Sequence, residues 1–246
     1  MAIRGRITGW RHFVFWIHPA RFLEAVRRYV AARRGDAWAS SVAQDSPVRC
    51  ELRATHPEVW VEAEVRVGKS RERSGSGNAE LLYELTQQFA DRRRTPEAFG
   101  TVVETGVALG WSSLAILLAL EGSEGRLWST DLPYPYVPGA ADRVGLAVPS
   151  WLRDRWILRR GSDCEILPQI LVECGPVDLA HYDSDKSYSG ALWAYDQLWS
   201  ALRIGGMLIA DDVSDHMAFH DFAVRVGRRP KIVRDAAKFQ GLLVKT

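Results

Sequence analysis

Acidic residues and glycines follow five short apolar stretches of this sequence. Runs of Val, Ile, Leu and Ala of this length are typical of buried strands, and a helical pattern follows each run. The carboxyl ends of parallel strands meet at one edge of a sheet, and such sheets bind their ligands there. The residues at these ends are therefore candidates for chemistry: Glu104, Gly106 and Gly110, then Asp131, Ser162 and Asp163, Asp183, and Asp211 and Asp212.

Each of these residue types has a physical use at a ligand site. Gly106 and Gly110 would let a backbone turn approach a ligand closely, and the amides that open the next helix could face a carboxylate. Glu104 could attract an ammonium group. Asp131 could accept both hydroxyls of a ribose, and Ser162-Asp163 could hydrogen-bond an adenine edge. A ligand with amino-acid, ribose and adenine parts is S-adenosylmethionine (SAM).

The elements that would position these residues alternate between strand and helix from Thr101 onward. A helix is predicted from Tyr188 to Leu202, ended by Gly205-Gly206. Strands are predicted at about 101–105, 125–131, 155–161, 177–183, 207–212, 231–234 and 241–245. This order predicts an α/β fold with a Rossmann-like, mainly parallel seven-stranded sheet, helices on both faces and a C-terminal antiparallel hairpin.

Residues 1–77 form a mostly helical N-terminal appendage in this prediction, and residues 78–246 form the ligand-binding domain. Apolar residues recur at helical spacing between Pro19 and Val30, whereas Val59–Val67 alternates as a strand would. The helix is expected to pack on the main domain or on a second copy, covering a substrate or making an oligomer contact. A membrane-surface helix is the alternative.

Composition excludes several classes of protein. The chain has 246 residues, of which 47% are hydrophobic and 25% charged, and its net charge of +2 gives no basis for nucleic-acid binding. Three cysteines, Cys50, Cys164 and Cys174, lack the spacing of a metal site or disulfide framework, which favours the cytoplasm. The apolar run Phe13–Ile17 is far shorter than the ~20 residues of a membrane span, so we expect no transmembrane helix and no signal peptide.

Four stretches of the chain resemble the class I SAM-dependent methyltransferases, over roughly Val102 to Lys245. The resemblance is densest in Val103–Ser113, Val148–Trp156, His181–Tyr188 and Leu202–Asp212. It is strongest to a bacterial small-molecule branch that includes macrolide-sugar O-methyltransferases and cephalosporin-pathway enzymes. It implies methylation of a hydroxyl on a secondary metabolite or sugar-like acceptor, with a SAM site comprising Glu104, Gly106, Gly110, Ser112, Asp131, Ser162, Asp163 and Asp183.

The resemblance also implies a metal and a general base. In those relatives the fourth-strand Asp and two acids after the fifth strand hold Mg²⁺, which here would be Asp183, Asp211 and Asp212, all hard oxygen ligands. The family pattern commonly has His three residues after the fourth-strand Asp, and this chain has Lys186. The base is therefore open among Lys186, His181 and His216.

Two other functions remain open at this point. An NAD(P)-dependent oxidoreductase also places an acid after its second strand, although Gly106-x-x-x-Gly110 is not the G-x-G-x-x-G turn of dinucleotide-binding proteins. The turn also departs from the methyltransferase pattern, which usually has a further glycine where this chain has Val107. A non-catalytic binding or assembly protein could keep the fold and lose the base.

Overall fold

A computed structural model describes residues 19–46, 51–68, 79–92, 100–133, 137–235 and 238–246. Its strands are β1 (Gln44–Asp45), β2 (Thr101–Thr105), β3 (Arg126–Asp131), β4 (Trp156–Arg160), β5 (Val177–Tyr182), β6 (Leu202–Ala210), β7 (Lys231–Asp235) and β8 (Lys238–Val244). They form one eight-stranded sheet in the order β1-β7-β8-β6-β5-β2-β3-β4. Only β8 runs antiparallel to its neighbours.

This sheet confirms the predicted α/β fold and its C-terminal antiparallel hairpin. The seven predicted strands correspond to β2–β8, and β1 is an additional edge strand that the sequence did not predict. It pairs with β7 through Gln44 and Asp45, and Asp45 forms an ion pair with Arg234 at 2.6 Å. The chain reverses its direction of travel across the sheet at β2, which lies between β5 and β3, so the ligand-binding edge is expected there.

Helices cover both faces of the sheet, as predicted. They are α1 (Pro19–Val42), α2 (Glu51–Thr55), α3 (Pro57–Val67), α4 (Ala79–Arg92), α5 (Trp111–Ala119), α6 (Ala140–Arg143), α7 (Asp163–Cys174), α8 (Tyr188–Ala201) and α9 (Ala218–Arg225). Neighbouring strand residues point to opposite faces. Val102 packs with α2–α5 in one apolar cluster, whereas Val103 packs with α1 and α7–α9 in the other.

Two local predictions were wrong. Val59–Val67 is helical because Pro57 opens a helix whose Trp60 and Ala63 are buried on one face, while Val61 and Val65 are exposed. By contrast, the helix predicted at Pro19–Val30 is confirmed, and it extends to Val42.

The second wrong prediction is that the Gly205-Gly206 pair ends a helix. Helix α8 ends at Ala201 because Leu202 is extended, and both glycines lie inside β6. The N–H of Lys245 donates to the Gly206 carbonyl at 2.9 Å, which continues the pairing of β6 with the end of the chain. Asn78 and the predicted boundary after residue 77 lie outside the described residues. Among the residues that the structure describes, no helix is long and apolar enough to cross a membrane.

Candidate functional site

Glu104 lies buried at the end of β2, beneath the glycine turn. Its carboxylate is 0% exposed and accepts hydrogen bonds from the hydroxyls of Ser112 (2.5 Å), Ser113 (2.6 Å) and Ser129 (2.8 Å). His181, directly opposite on β5, has its Nδ1 3.6 Å from Glu104 Oε1. Burial acts to lower the pKa of His181, but the hydrogen bond and charge of Glu104 outweigh it and raise that pKa.

These contacts change how Glu104, Ser112 and His181 are interpreted. The sequence pattern suggested that Glu104 faces a ligand ammonium, yet both of its oxygens accept hydrogen bonds from serines of helix α5 and strand β3. The Ser112 hydroxyl donates its hydrogen bond to the same carboxylate, and His181 is buried beneath the site. Direct cofactor contact by Glu104 and Ser112 stays a prediction, and so does a catalytic role for His181.

The turn after β2 is fastened by Asp131 at the end of β3. Oδ1 of Asp131 accepts from the backbone N–H groups of Val107 (2.8 Å) and Ala108 (2.9 Å). Burial raises the pKa of Asp131, although these two hydrogen bonds oppose the shift. Because one oxygen holds the turn, the second, Oδ2, is the atom that can accept from a ligand.

Gly106 brings the ends of β2 and β5 into close contact. Its φ is +81°, and a Cβ there would lie 2.7 Å from the carbonyl carbon of Asp183. Ala108 (φ +46°) and Asp212 (φ +51°) are the non-glycine residues with positive φ in the described part of the chain. Left-handed backbone at a non-glycine residue costs free energy and often marks functional sites, and both of these residues lie at this edge.

The segment between β3 and β4 is hydrogen-bonded to the glycine turn. Backbone N–H groups of Gly145 and Ala147 donate to the carbonyls of Ala108 (2.9 Å) and Leu109 (2.8 Å). These contacts are those of a fixed connection between β3 and β4, not of a loop that is free to move. Residues 134–136 lie outside the described part.

Ser162 and Asp163 follow β4 and begin helix α7. The Ser162 hydroxyl donates to Glu165 at 2.7 Å, and Asp163 accepts from Thr130 at 2.6 Å and from Ser184. These contacts join the ends of β3, β4 and β5 into one polar network. Adenine recognition by Ser162 and Asp163 stays a prediction.

Asp183, Asp211 and Asp212 meet at the ends of β5 and β6. Each offers a carboxylate oxygen within 4.8 Å of the others. Burial and the negative charge of Asp211 raise the pKa of Asp183 to about 6. Three converging carboxylates suit a hard divalent cation, so the residues fit the implied metal chemically.

Two lysines already neutralise part of this carboxylate cluster. Lys186 pairs with Asp183 and, at 2.9 Å, with Asp212. Lys238, on β8, lies 3.0 Å from Asp211 Oδ2 and 3.2 Å from Asp212 Oδ1. Sequence reasoning missed Lys238 because it follows the two acids by more than 25 residues, and no spacing rule connects it to them.

The electrostatics of the cluster follow from these ion pairs. Burial opposes charging of both lysines, but the adjacent aspartates raise the pKa of Lys186 and of Lys238, which keeps both protonated. For Asp212, burial acts to raise the pKa, and the two ammonium groups outweigh it and lower that pKa.

His216 lies beside the cluster. Its Nδ1 accepts from the backbone N–H of Ala218 at 3.3 Å, and the nearby backbone of Lys186 acts to raise its pKa. Burial lowers the pKa of His216, so its neutral form is favoured. The three candidate bases thus have different environments: His181 is buried, His216 accepts from a backbone N–H group, and Lys186 has a half-exposed side chain within the cluster.

Comparison with known proteins decides the family of the sheet domain. Residues 103–213 match the family model of the methyltransferase domain. The chain carries a methyltransferase domain. The matched range begins one residue before Glu104 and ends one residue after Asp212, so it contains every predicted site residue except His216. The prediction of a class I methyltransferase is confirmed, and the oxidoreductase alternative loses its support.

Solved structures agree with this methyltransferase domain at the level of the fold. An O-methyltransferase from Bacillus cereus in complex with SAH matches with 18% identity and a TM-score of 0.56, covering 85% of this chain and 96% of its own. The O-methyltransferase TomG from Streptomyces achromogenes, involved in tomaymycin synthesis and in complex with SAM, matches with 18% identity, coverage of 86% and 96%, and the same TM-score. The SAH-bound Podospora anserina methyltransferase PaMTH1 has 14% identity, coverage of 87% and 95%, and a TM-score of 0.55. No curated protein matches the sequence.

Proposed function

We propose that this methyltransferase domain transfers the methyl group of SAM to a hydroxyl oxygen of a small molecule. The observation that carries the proposal is the coincidence of the family match, residues 103–213, with the edge where Asp131, Lys186 and the carboxylate cluster lie. The similar O-methyltransferases in complex with SAH and SAM support the same cofactor and an oxygen as the acceptor atom.

The residues around the glycine turn would bind and orient SAM. Oδ2 of Asp131 would accept from the ribose, the turn from Gly106 to Gly110 would follow the amino-acid part, and Ser162-Asp163 would face the adenine. When bound, SAM supplies a methyl group already activated on a sulfonium. The protein must therefore align donor and acceptor and favour the ionised acceptor oxygen.

Lys186 is the candidate among the three whose geometry best supports contact with the acceptor. Its side chain is 44% exposed, whereas His181 is buried and His216 hydrogen-bonds to backbone. Since Asp183 and Asp212 keep Lys186 protonated, we assign it a cationic role: its ammonium group stabilises the acceptor oxygen as the O–H bond breaks and the new O–CH₃ bond forms. The hydroxyl proton leaves to water or to a carboxylate of the cluster.

Asp183, Asp211 and Asp212 are the residues that would hold a divalent cation such as Mg²⁺. A cation bound there would orient the acceptor hydroxyl and lower its pKa. Lys186 and Lys238 would have to give up part of their contacts with the carboxylates. We propose that metal binding competes with these ion pairs.

Asp131→Asn is expected to weaken SAM binding by about 10–100-fold, because an amide can replace only one of the two carboxylate acceptors. Isothermal titration calorimetry with SAM and SAH measures the change. Asp142→Asn, an exposed acid on helix α6, is the control and should bind like wild type. Undetectable binding to the wild-type protein, or equal affinity in Asp131→Asn, would contradict the SAM site.

Lys238→Met is expected to strengthen Mn²⁺ or Mg²⁺ binding by about 3–10-fold, because it removes an ammonium group that competes for Asp211 and Asp212. Calorimetry, or Mn²⁺ electron paramagnetic resonance, measures this without any turnover. Lys231→Met, an exposed lysine on β7, is the matched control. Equal or weaker metal binding in Lys238→Met argues against competition, and full methyl transfer in excess chelator argues against a required metal.

The first half of helix α1 has an apolar surface that the described residues leave exposed. Phe22, Leu23, Val26 and Val30 are 40–55% exposed. We propose that this surface contacts a second copy of the chain and that the protein acts in the cytoplasm without nucleic-acid partners. Sedimentation velocity tests the contact: a monomer in both wild type and Leu23→Glu would exclude it.

A further inference from the structure

A cavity of about 630 Å³ lies between helix α1 and the start of helices α8 and α9. Its size is within the range of small-molecule sites. Helix α1 contributes Ala31, Arg34 and Ala37, and the opposite wall contains Tyr188, His216, Met217 and Asp221. Most of this lining is aliphatic or aromatic, with a few polar groups.

The cavity borders the carboxylate cluster. His216 is in its wall and lies close enough to Lys186 for the backbone and charge of that residue to act on the pKa of His216, and the Lys186 ammonium group pairs with Asp183 and Asp212. Tyr188, two residues after Lys186, packs its ring against that of His216, with centroids 5.8 Å apart. A molecule in the cavity would therefore have one end near the group to which we assign stabilisation of the acceptor oxygen.

Helix α1 is a fixed wall of this cavity. Gly35 is buried against the segment that follows Asp212, and a Cβ there would lie 2.9 Å from the backbone nitrogen of His216. On the same side of the helix, Trp38 packs edge-on against His220, with centroids 5.3 Å apart. This close packing fixes the position of Arg34 relative to His216.

Arg34 supplies the charge available to a ligand. Within the described residues it forms no ion pair, whereas the Asp221 carboxylate already accepts from Tyr188 at 2.8 Å and interacts with His220 at 2.8 Å. The neighbouring Arg33 packs against the Tyr29 ring and does not line the cavity. A guanidinium group pairs well with a carboxylate because it can donate two parallel hydrogen bonds.

We propose that this cavity binds the methyl acceptor and that the acceptor is an aromatic hydroxy acid, whose carboxylate pairs with Arg34 while its hydroxyl points to Lys186. The rings of Tyr188 and His216 and the small side chains of Ala31 and Ala37 suit a flat aromatic body. This inference rests on the proposed function and adds the class of substrate. In this inference helix α1 contributes to the choice of methyl acceptor, because it carries Arg34.

The test uses the SAH-saturated full chain and a panel of phenolic acids of increasing length: 4-hydroxybenzoate, 4-hydroxyphenylacetate and 3-(4-hydroxyphenyl)propionate, each with its uncharged amide. We expect at least one acid to bind about tenfold or more tightly than its amide. Arg34→Gln should remove that preference, and Arg33→Gln, the matched control on the same helix, should keep it. Arg34→Glu should instead favour tyramine, in which an amine replaces the carboxylate.

A second variant tests the cavity independently of charge. Ala31→Phe fills the cavity and should weaken binding of the acid about tenfold while SAH affinity stays unchanged. Equal binding of acids and amides, no binding of any acid, or equal loss in Arg33→Gln would overturn the inference. Failure of SAH to bind would instead overturn the proposed function, and methyl transfer with no preference for acids would leave that function intact and remove only the Arg34 assignment.

Discussion

Gly106→Ala is expected to abolish measurable SAM binding and to lower the free energy of unfolding by roughly 3 kcal/mol. Gly106 has a φ of +81°, and a Cβ there would collide with the backbone of Asp183. Relief requires β2 and β5 to separate at their ends, because backbone cannot rotate away as a side chain can. That separation would also move Asp183 away from Asp211 and Asp212.

Gly122→Ala is the matched control for Gly106→Ala. Gly122 has the same φ of +81°, but a Cβ there has no atom within 4 Å. The control therefore carries only the cost of a left-handed alanine, about 1 kcal/mol, and should bind SAM normally. Urea unfolding and calorimetry with SAM measure the two effects. Similar loss of stability in both variants would show that the close contact with Asp183 contributes little.

The fold could be predicted from residue 101 onward because five strands there are short, mainly apolar and followed by a glycine or an acid. Val59–Val67 was misleading because its valines alternate, while the features that determine the helix are Pro57 at its start and the burial of Trp60 and Ala63. Periodicity alone does not separate these two outcomes in a short segment. Strand β1 has two residues and no pattern of its own to recognise.

The sequence predicted where the site residues lie in the fold more fully than it predicted which side chains they contact. The family resemblance implied that Asp183, Asp211 and Asp212 meet, and the pairing of β5 with β6 brings them together. It could not indicate that Glu104 is held by three serines, because Ser129 comes from another strand. The Arg34 cavity depends on how helix α1 packs over the segment after β6, which no local pattern specifies.

Replacing Lys186 with methionine is expected to lower kcat by about 100–1000-fold, with SAM affinity changed less than about threefold. The methionine retains most of the aliphatic length but leaves Asp183 and Asp212 without the ammonium group and the acceptor oxygen without a cation. Initial rates with a methylated hydroxyl compound, and SAM titrations, separate the two effects.

Lys186→Arg distinguishes a cation from a base. Arginine keeps the positive charge and can pair with Asp183 and Asp212, but it does not accept a proton in a protein. If Lys186 stabilises the acceptor oxygen electrostatically, Lys186→Arg should retain kcat within about tenfold of wild type. If Lys186 must take the proton, both variants should lose activity alike. Because Asp183 and Asp212 raise the pKa of Lys186, we expect the first result. Equal loss in both variants would therefore overturn the cationic assignment and return Lys186 to the role of general base.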